Sequence, residues 1–591
     1  MNQPHRFHIP VLGLCYTIDT PLMVARYGIT SVLSIVEDEL IEDMRSYHAL
    51  RNGIAFTPIT KKDPDYRARR ITAYLNLLHD LIERQVNELK TSSFDTNSDL
   101  HKYFQLLPGD AKEKADYKKM LAMEAGQPKE ELQKQLIRSI VAGDIDVNIM
   151  AKLDNPAYTD EGQKLPDEFS DAVAALRGFA NSKLSSSVVI SAGYNPKLFN
   201  YAELHEDFYP QTNDHLPKKI ILKVSDYRSA LVQGKLLAKK GLWVSEFRIE
   251  SGVNCGGHAF PTEGILMGTI LEEFKNNRKA LAAELLVLCN NALVAKGRNK
   301  FSKTPIQKIS GQGGVGTHEE QELLLKHFQL DSVGWGSPFL LVPEVTNVDE
   351  VTLNQLATAQ PEDYFLSNAS PLGVPFHNFR KSSSEAQRKE RIANERPGSP
   401  CYKKYLTSDT EFTELPICTA SRQYQQLKEK QVTTRGNSQV EIETHIRKIG
   451  EKDCLCEGLT SSVRLKNQIK LSHKLSAVTI CPGPNLKWFS GIFSLTEMVD
   501  HIYGRFSITN SLYRPNMFIN ELKLYIDYFE KQLRESASAL NEKQLRYFQK
   551  FKSNILDGIA YYKTALASIT NAAKTLEELY HFEKQLMAIS I

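Results

Sequence analysis

Three stretches of this chain combine glycines with residues able to do chemistry. They are Ser251–Phe260 (Ser-Gly-Val-Asn-Cys-Gly-Gly-His-Ala-Phe), Ser310–Thr317 (Ser-Gly-Gln-Gly-Gly-Val-Gly-Thr) and Gly334–Pro343 (Gly-Trp-Gly-Ser-Pro-Phe-Leu-Leu-Val-Pro). Glycine lets a backbone come close to a phosphate, and a following helix N-terminus offers free amides and a favourable dipole. Ser310, Gly311, Gly313 and Gly314 form one candidate cradle, with a helix read directly behind at His318–Gln329. Gly336 and Ser337 form its neighbour, with the serine as a hydroxyl donor. One such loop alone is better read as a tight turn; two in succession favour the cradle. In the first stretch Gly256 and Gly257 clear space beside His258. An imidazole exchanges protons near neutral pH, which suits a general base. The competing reading is a histidine that only shapes its loop.

A second constellation is made of cysteines. Of eight in the chain, Cys401, Cys418, Cys454, Cys456 and Cys481 fall close together, several beside Pro or Gly. Such a set is not a disulfide framework in a long cytosolic chain. Four thiolates suit an iron–sulfur cluster or zinc, and ordinary unliganded cysteines remain a third reading. Five candidates for four places leave one spare.

The elements that must position these residues read as an α/β alternation. Strands are expected at His8–Cys15, Ser31–Val36, Ser186–Ser191, Ile220–Ser225, Leu242–Ile249, Pro305–Ser310 and Ser332–Trp335, with helices between them. Residues 65–178 read as a helical insertion, 381–400 as an exposed linker, 401–493 as a cysteine-containing region and 494–591 as helical. The glycine loops follow strands, as active-site loops do on the C-terminal face of a (β/α)8 TIM barrel. A barrel over residues 1–380 is therefore the expected fold.

The pair of loops within Lys219–Glu344, with the Gly-Gly-His element before them, resembles the nitronate monooxygenases, formerly 2-nitropropane dioxygenases. In that family the two loops hold the phosphate of FMN, and the histidine faces the flavin. The resemblance implies an FMN-dependent oxidoreductase with a small-molecule substrate bound over the flavin. It makes His258 the catalytic residue and Gly256, Gly257, Ser310, Gly311, Gly313, Gly314, Gly336 and Ser337 part of the flavin site. Lys223 would stabilise charge on a reduced flavin, with a structural lysine as the competing reading. The chain departs from the family at Cys255 and Gln312. It departs again after the first strand, where Tyr16 or Thr17 would replace a Pro-Met pair. Resemblance is weak at Ile9–Val36 and absent from the insertion and beyond about residue 380. Those additions imply a substrate other than a simple nitroalkane.

Two other functions fit parts of the pattern. A flavin-free barrel isomerase or lyase would use the cradle for a phosphorylated substrate. A non-enzymatic metal-binding scaffold would use the cysteines and C-terminal helices, but has no need of His258. His377 and Arg380, on the turn-rich stretch Ser367–Lys381, are candidates for the site mouth, though a packed loop explains them better. The 73 basic and 70 acidic residues leave a net charge of +3, which offers no general argument for nucleic acid or an anionic membrane. No apolar signal core or membrane span is read, so a cytoplasmic protein is expected, with a homodimer and an electron-transfer partner as candidate associations.

Overall fold

The computed structural model describes residues 3–591 except 152, 160, 192, 435–437, 472–475, 537–540 and 568–571. Part of the expected last helical stretch therefore lies outside the described residues. Eight parallel strands close into a barrel in chain order. They are β1 (Phe7–Ile9), β2 (Thr30–Ser34), β3 (Ile145–Met150), β4 (Ser187–Ser191), β5 (Lys219–Val224), β6 (Val244–Glu250), β7 (Lys308–Gln312) and β8 (Ser332–Gly334). Closure is made by β8 against β1, with Phe7 opposite Val333.

Alternation along each strand explains where the polar residues went. Outward positions such as Val147, Ile149, Phe247, Ile249 and Ile309 are buried in the main core. Among the inward positions, Val32, Val189 and Ile221 form a small apolar plug. Others are charged. Arg248 donates to Glu246 Oε1 at 2.9 Å and lies 3.9 Å from Asp146, and Ser310 Oγ donates to Glu246 at 2.5 Å. Buried charges of this kind persist only when paired.

That interior explains one correction. β3 was not among the expected strands and falls inside the stretch read as a helical insertion. Its sequence, Ile-Asp-Val-Asn-Ile-Met, is broken by Asp146 and Asn148, both buried and facing inward. The helices of the insertion run from Tyr66 to Arg138, between β2 and β3. β1 is shorter than expected, and β7 begins three residues later and ends two residues later than expected.

A second correction concerns the expected linker. Ser383–Ala393 is a helix whose first turn is capped by Ser382 and docked through Glu385, which is 3% exposed and accepts from Asn378 Nδ2. The pair Ser382 and Glu385 has the Ser-x-x-Glu spacing of a helix start. A hairpin of β9 (Tyr364–Ser367) and β10 (Phe376–Phe379) precedes it. The C-terminal helices Met517–Ser536, Glu542–Ala565 and Ala572–Ala588 are not a separate layer. Phe518, Tyr525, Phe551, Tyr562 and Leu586 belong to the same core cluster as the barrel's outer face. Among the described residues, no helix is long and apolar enough to cross a membrane.

Candidate active site

A cavity of about 210 Å³ lies at the C-terminal ends of the strands. All eight strands or the loops that leave them contribute: Pro10 to Leu14, Ser34, Asn148, Ser191, Lys223, Glu250, Gln312 to Val315, and Gly334 to Pro338 line it in part. Gly256, Gly257 and His258 line it from the loop after β6. A roof is added from far along the chain by Leu459, Cys481 and Asn485.

The glycine loop after β7 is held from below and from outside. Gly314 has φ +83°, and a Cβ there would lie 1.9 Å from Asn254 Nδ2. Asn254 is itself fixed, donating to the Met517 carbonyl at 3.0 Å and accepting from Asn520 at 2.8 Å. Arg514 donates to the Gly314 carbonyl at 2.6 Å and forks onto Glu320 at 2.5 and 2.9 Å. Glu320 accepts in turn from the Gly316 N–H at 2.9 Å. That bond occupies an amide expected to be free for a phosphate. The α-helix behind the loop spans only His318–Glu322 before changing its winding, so it is also shorter than expected. Over the loop after β6, a Cβ at Gly483 would lie 3.1 Å from the Gly256 backbone. A side chain at Gly483 would close that crossing.

The polar groups of the wall divide into engaged and unengaged. Lys223 pairs with Glu250 at 2.8 Å, and Gln312 Nε2 donates to Glu250 at 2.7 Å. Lys223 and Gln312 together hold the Glu250 carboxyl below the usual range despite its burial. Asn148 Oδ1 is buried without a hydrogen-bond partner on this wall. A buried acceptor left unmade is disfavoured, so it is available for a ligand's donor. His258 Nε2 meets Ser370 Oγ at 2.7 Å, and its ring packs edge-on against Phe376 at 5.2 Å. Burial pushes the imidazole down to about 4, so it is neutral at physiological pH. Burial, with the negative Glu250 nearby, pushes the Cys255 thiol well up, which argues against a reactive thiolate.

Several expected site residues lie elsewhere. Ser310 is inside the barrel bonded to Glu246, and a side chain at Gly311 would point at Leu330 and Met267 on the outside. Both sit within β7, because the strand continues to Gln312. Tyr16 donates to the Thr479 carbonyl at 2.6 Å and Thr17 accepts from the Leu12 N–H; Pro10 to Leu14 take the place expected for them. His377 is tied to the Val253 carbonyl at 2.9 Å, and Arg380 stacks over Phe365. Neither lines the cavity. Asn148, Glu250, Asn254, Asn485 and Arg514 were not foreseen. Only Asn254 carried a signal, as a polar residue inside the Gly-Gly-His stretch.

Cys401, Cys418, Cys454, Cys456 and Cys481 pack into one small apolar cluster with Phe376, Leu406 and Leu455. Among the described residues, however, no three of their sulfurs lie within 4.8 Å of one another. A tetrahedral zinc site with Zn–S near 2.3 Å would set its sulfurs roughly 3.8 Å apart. The arrangement is too open for a single ion.

Burial of neutral histidines sets a pH dependence. Burial pushes His5 and His8 down to about 3, and His258 and His377 to about 4. The unfolded chain binds protons at these positions near pH 6.5 that the folded chain refuses, so their contribution to stability is lost as pH falls from there toward 3 to 4. Burial raises Asp146 and Glu521 to about 7, so they work in the opposite sense and hold protons in the folded state. The four histidines outnumber these two carboxyls, so the expected balance near pH 5 is a net uptake of protons on unfolding. Urea midpoints measured from pH 7 to 4 should therefore fall; midpoints flat or rising over that range would contradict the buried neutral histidines.

No protein-family model matches the chain, and no curated protein matches it. Among solved structures, the chain is similar to FabK from Thermotoga maritima, at 11% identity and a TM-score of 0.34, over 88% of this chain and 96% of that one. It is also similar to nitroalkane oxidase from Streptomyces ansochromogenes, at 11% identity and a TM-score of 0.28, over 64% of this chain and 84% of that one. The closed barrel is read from this chain's own strand pairing.

Proposed function

We propose that the chain is an FMN-dependent oxidoreductase of the nitronate monooxygenase type, with a small-molecule substrate bound over the flavin at the barrel mouth. The observation that carries this reading is the cavity itself. Its wall includes the glycine turns after β7 and β8, His258 and strand ends from the whole barrel, which supports the reading. Barrels commonly hold phosphate at the loops after the last two strands. The residues present fit such a group. Gly313, Gly314, Gly336 and Ser337 would hold its phosphate, and the unpartnered Asn148 Oδ1 would meet a ring N–H. Lys223, paired with Glu250, would place a cation by the ring edge. FMN, when bound, would supply electron transfer that no side chain can supply.

The chain's own contribution is position and proton handling. Ser370 engages His258 Nε2, so a substrate proton would be taken or returned at Nδ1. Burial keeps the ring neutral and able to accept. His258→Ala is expected to keep bound flavin while turnover falls about a hundredfold or more. A variant that retains full turnover on a panel of alkyl nitronates and other small carbon acids would remove His258 from the chemistry.

The reading as a whole is tested by the visible absorption spectrum of the purified protein, with the released cofactor identified after heating. One FMN per chain, bleached by dithionite and restored by air, is the expected result. A colourless protein that takes up no added FMN would overturn it and leave a phosphorylated substrate as the occupant of the cradle.

A further inference from the structure

Three separate segments bring Cys401, Cys418, Cys454 and Cys456 into one small cluster. The backbones of Ser399 and Ser421 pair in parallel, with Ser399 N–H donating to the Ala420 carbonyl at 2.9 Å, which draws the Cys401 and Cys418 segments together. Cys454 caps the helix Leu455–Lys466 and Cys456 lies in its first turn. Cys481 instead lies toward Cys15 and Gly13, with its carbonyl against Gly256 on the cavity wall.

Phe376, Leu406 and Leu455 enclose these sulfurs in an apolar setting. Several soft thiolate ligands gathered in one place suit an iron–sulfur centre. Backbone at Cys401 and Lys404 is held at φ +56° and +58°, an uncommon conformation for non-glycine residues that turns the segment around its own sulfur.

We propose that Cys401, Cys418, Cys454 and Cys456 ligate an iron–sulfur cluster behind the cavity wall, with Cys481 as the spare cysteine. The sulfur spacing is too wide for one tetrahedral ion, while a cluster spreads its four thiolates around several irons. Phe376, Leu459 and Cys481 belong both to the cysteine cluster and to the cavity wall, so a single layer of side chains separates the two. A centre so placed is within reach of any redox group in the cavity. The inference stands on the cysteines alone and does not require the flavin reading.

The test uses the full chain purified without oxygen, and again after anaerobic incubation with ferrous iron and sulfide. Iron and acid-labile sulfide in equal amounts, about two or about four of each per chain, are expected, with a paramagnetic signal after dithionite. Cys456→Ser should lower iron at least tenfold while Cys481→Ser keeps it, and circular dichroism should show both variants folded. A protein that takes up no iron, binds zinc alone, or keeps its iron in folded Cys456→Ser overturns the proposal. Flavin without iron would remove the cluster and leave the flavoenzyme reading standing; iron without flavin would do the reverse.

Discussion

Gly314→Val should yield a chain that folds but no longer retains FMN, its affinity lowered about a thousandfold. Two effects add at this position. A β-branched residue at φ +83° is strained by about 1–2 kcal/mol. Its Cβ would lie 1.9 Å from the Asn254 amide, which cannot swing aside while bonded to Met517 and Asn520. Overpacking of that kind costs about 1–3 kcal/mol. The loop can relieve both only by moving into the space proposed for the phosphate. Fluorescence titration with FMN, beside a thermal melt to confirm folding, measures the effect. Affinity within threefold of the parent would place the phosphate somewhere other than this loop.

Arg514→Ala should cost about 3–5 kcal/mol of stability and shed the flavin as well. Arg514 and Glu320 are both nearly buried, 8% and 3% exposed along their side chains. Removing the guanidinium strands the carboxylate and frees the Gly314 carbonyl it held. Lysine should rescue only partly, because one ammonium cannot reproduce the fork onto Glu320 together with the bonds to Gly314 and Asn485. Urea unfolding of the three proteins decides the matter. An alanine variant within about 1 kcal/mol of the parent would show the pair to be no more than a surface contact.

The two variants also mark what could be read from sequence. Gly314 was legible because a cradle needs consecutive glycines at a strand end, a local pattern. His258 was legible for the same reason. Arg514 was not, since nothing near it announces a partner two hundred residues earlier. β3 stayed hidden because a charged barrel interior replaces the apolar run that marks a buried strand. The strand was expected to end at Ser310, where the run of glycines begins, whereas β7 carries on to Gln312. The helix Ser383–Ala393 was hidden by a composition usually found in linkers, although its cap was in plain view.

The arrangement of the roof has a consequence for synthesis. Arg514 follows the Gly314 carbonyl it braces by 200 residues. At roughly 5–20 residues per second, a ribosome needs about 10–40 s to make that distance. From the end of β8 at Gly334 until the later residues are made, the eight strands exist without the Gly483 crossing, without Asn485 and without the brace. Loading of the proposed FMN would thus belong to the last stage of translation, and a nascent chain stalled before residue 514 would display a barrel with an unsecured mouth.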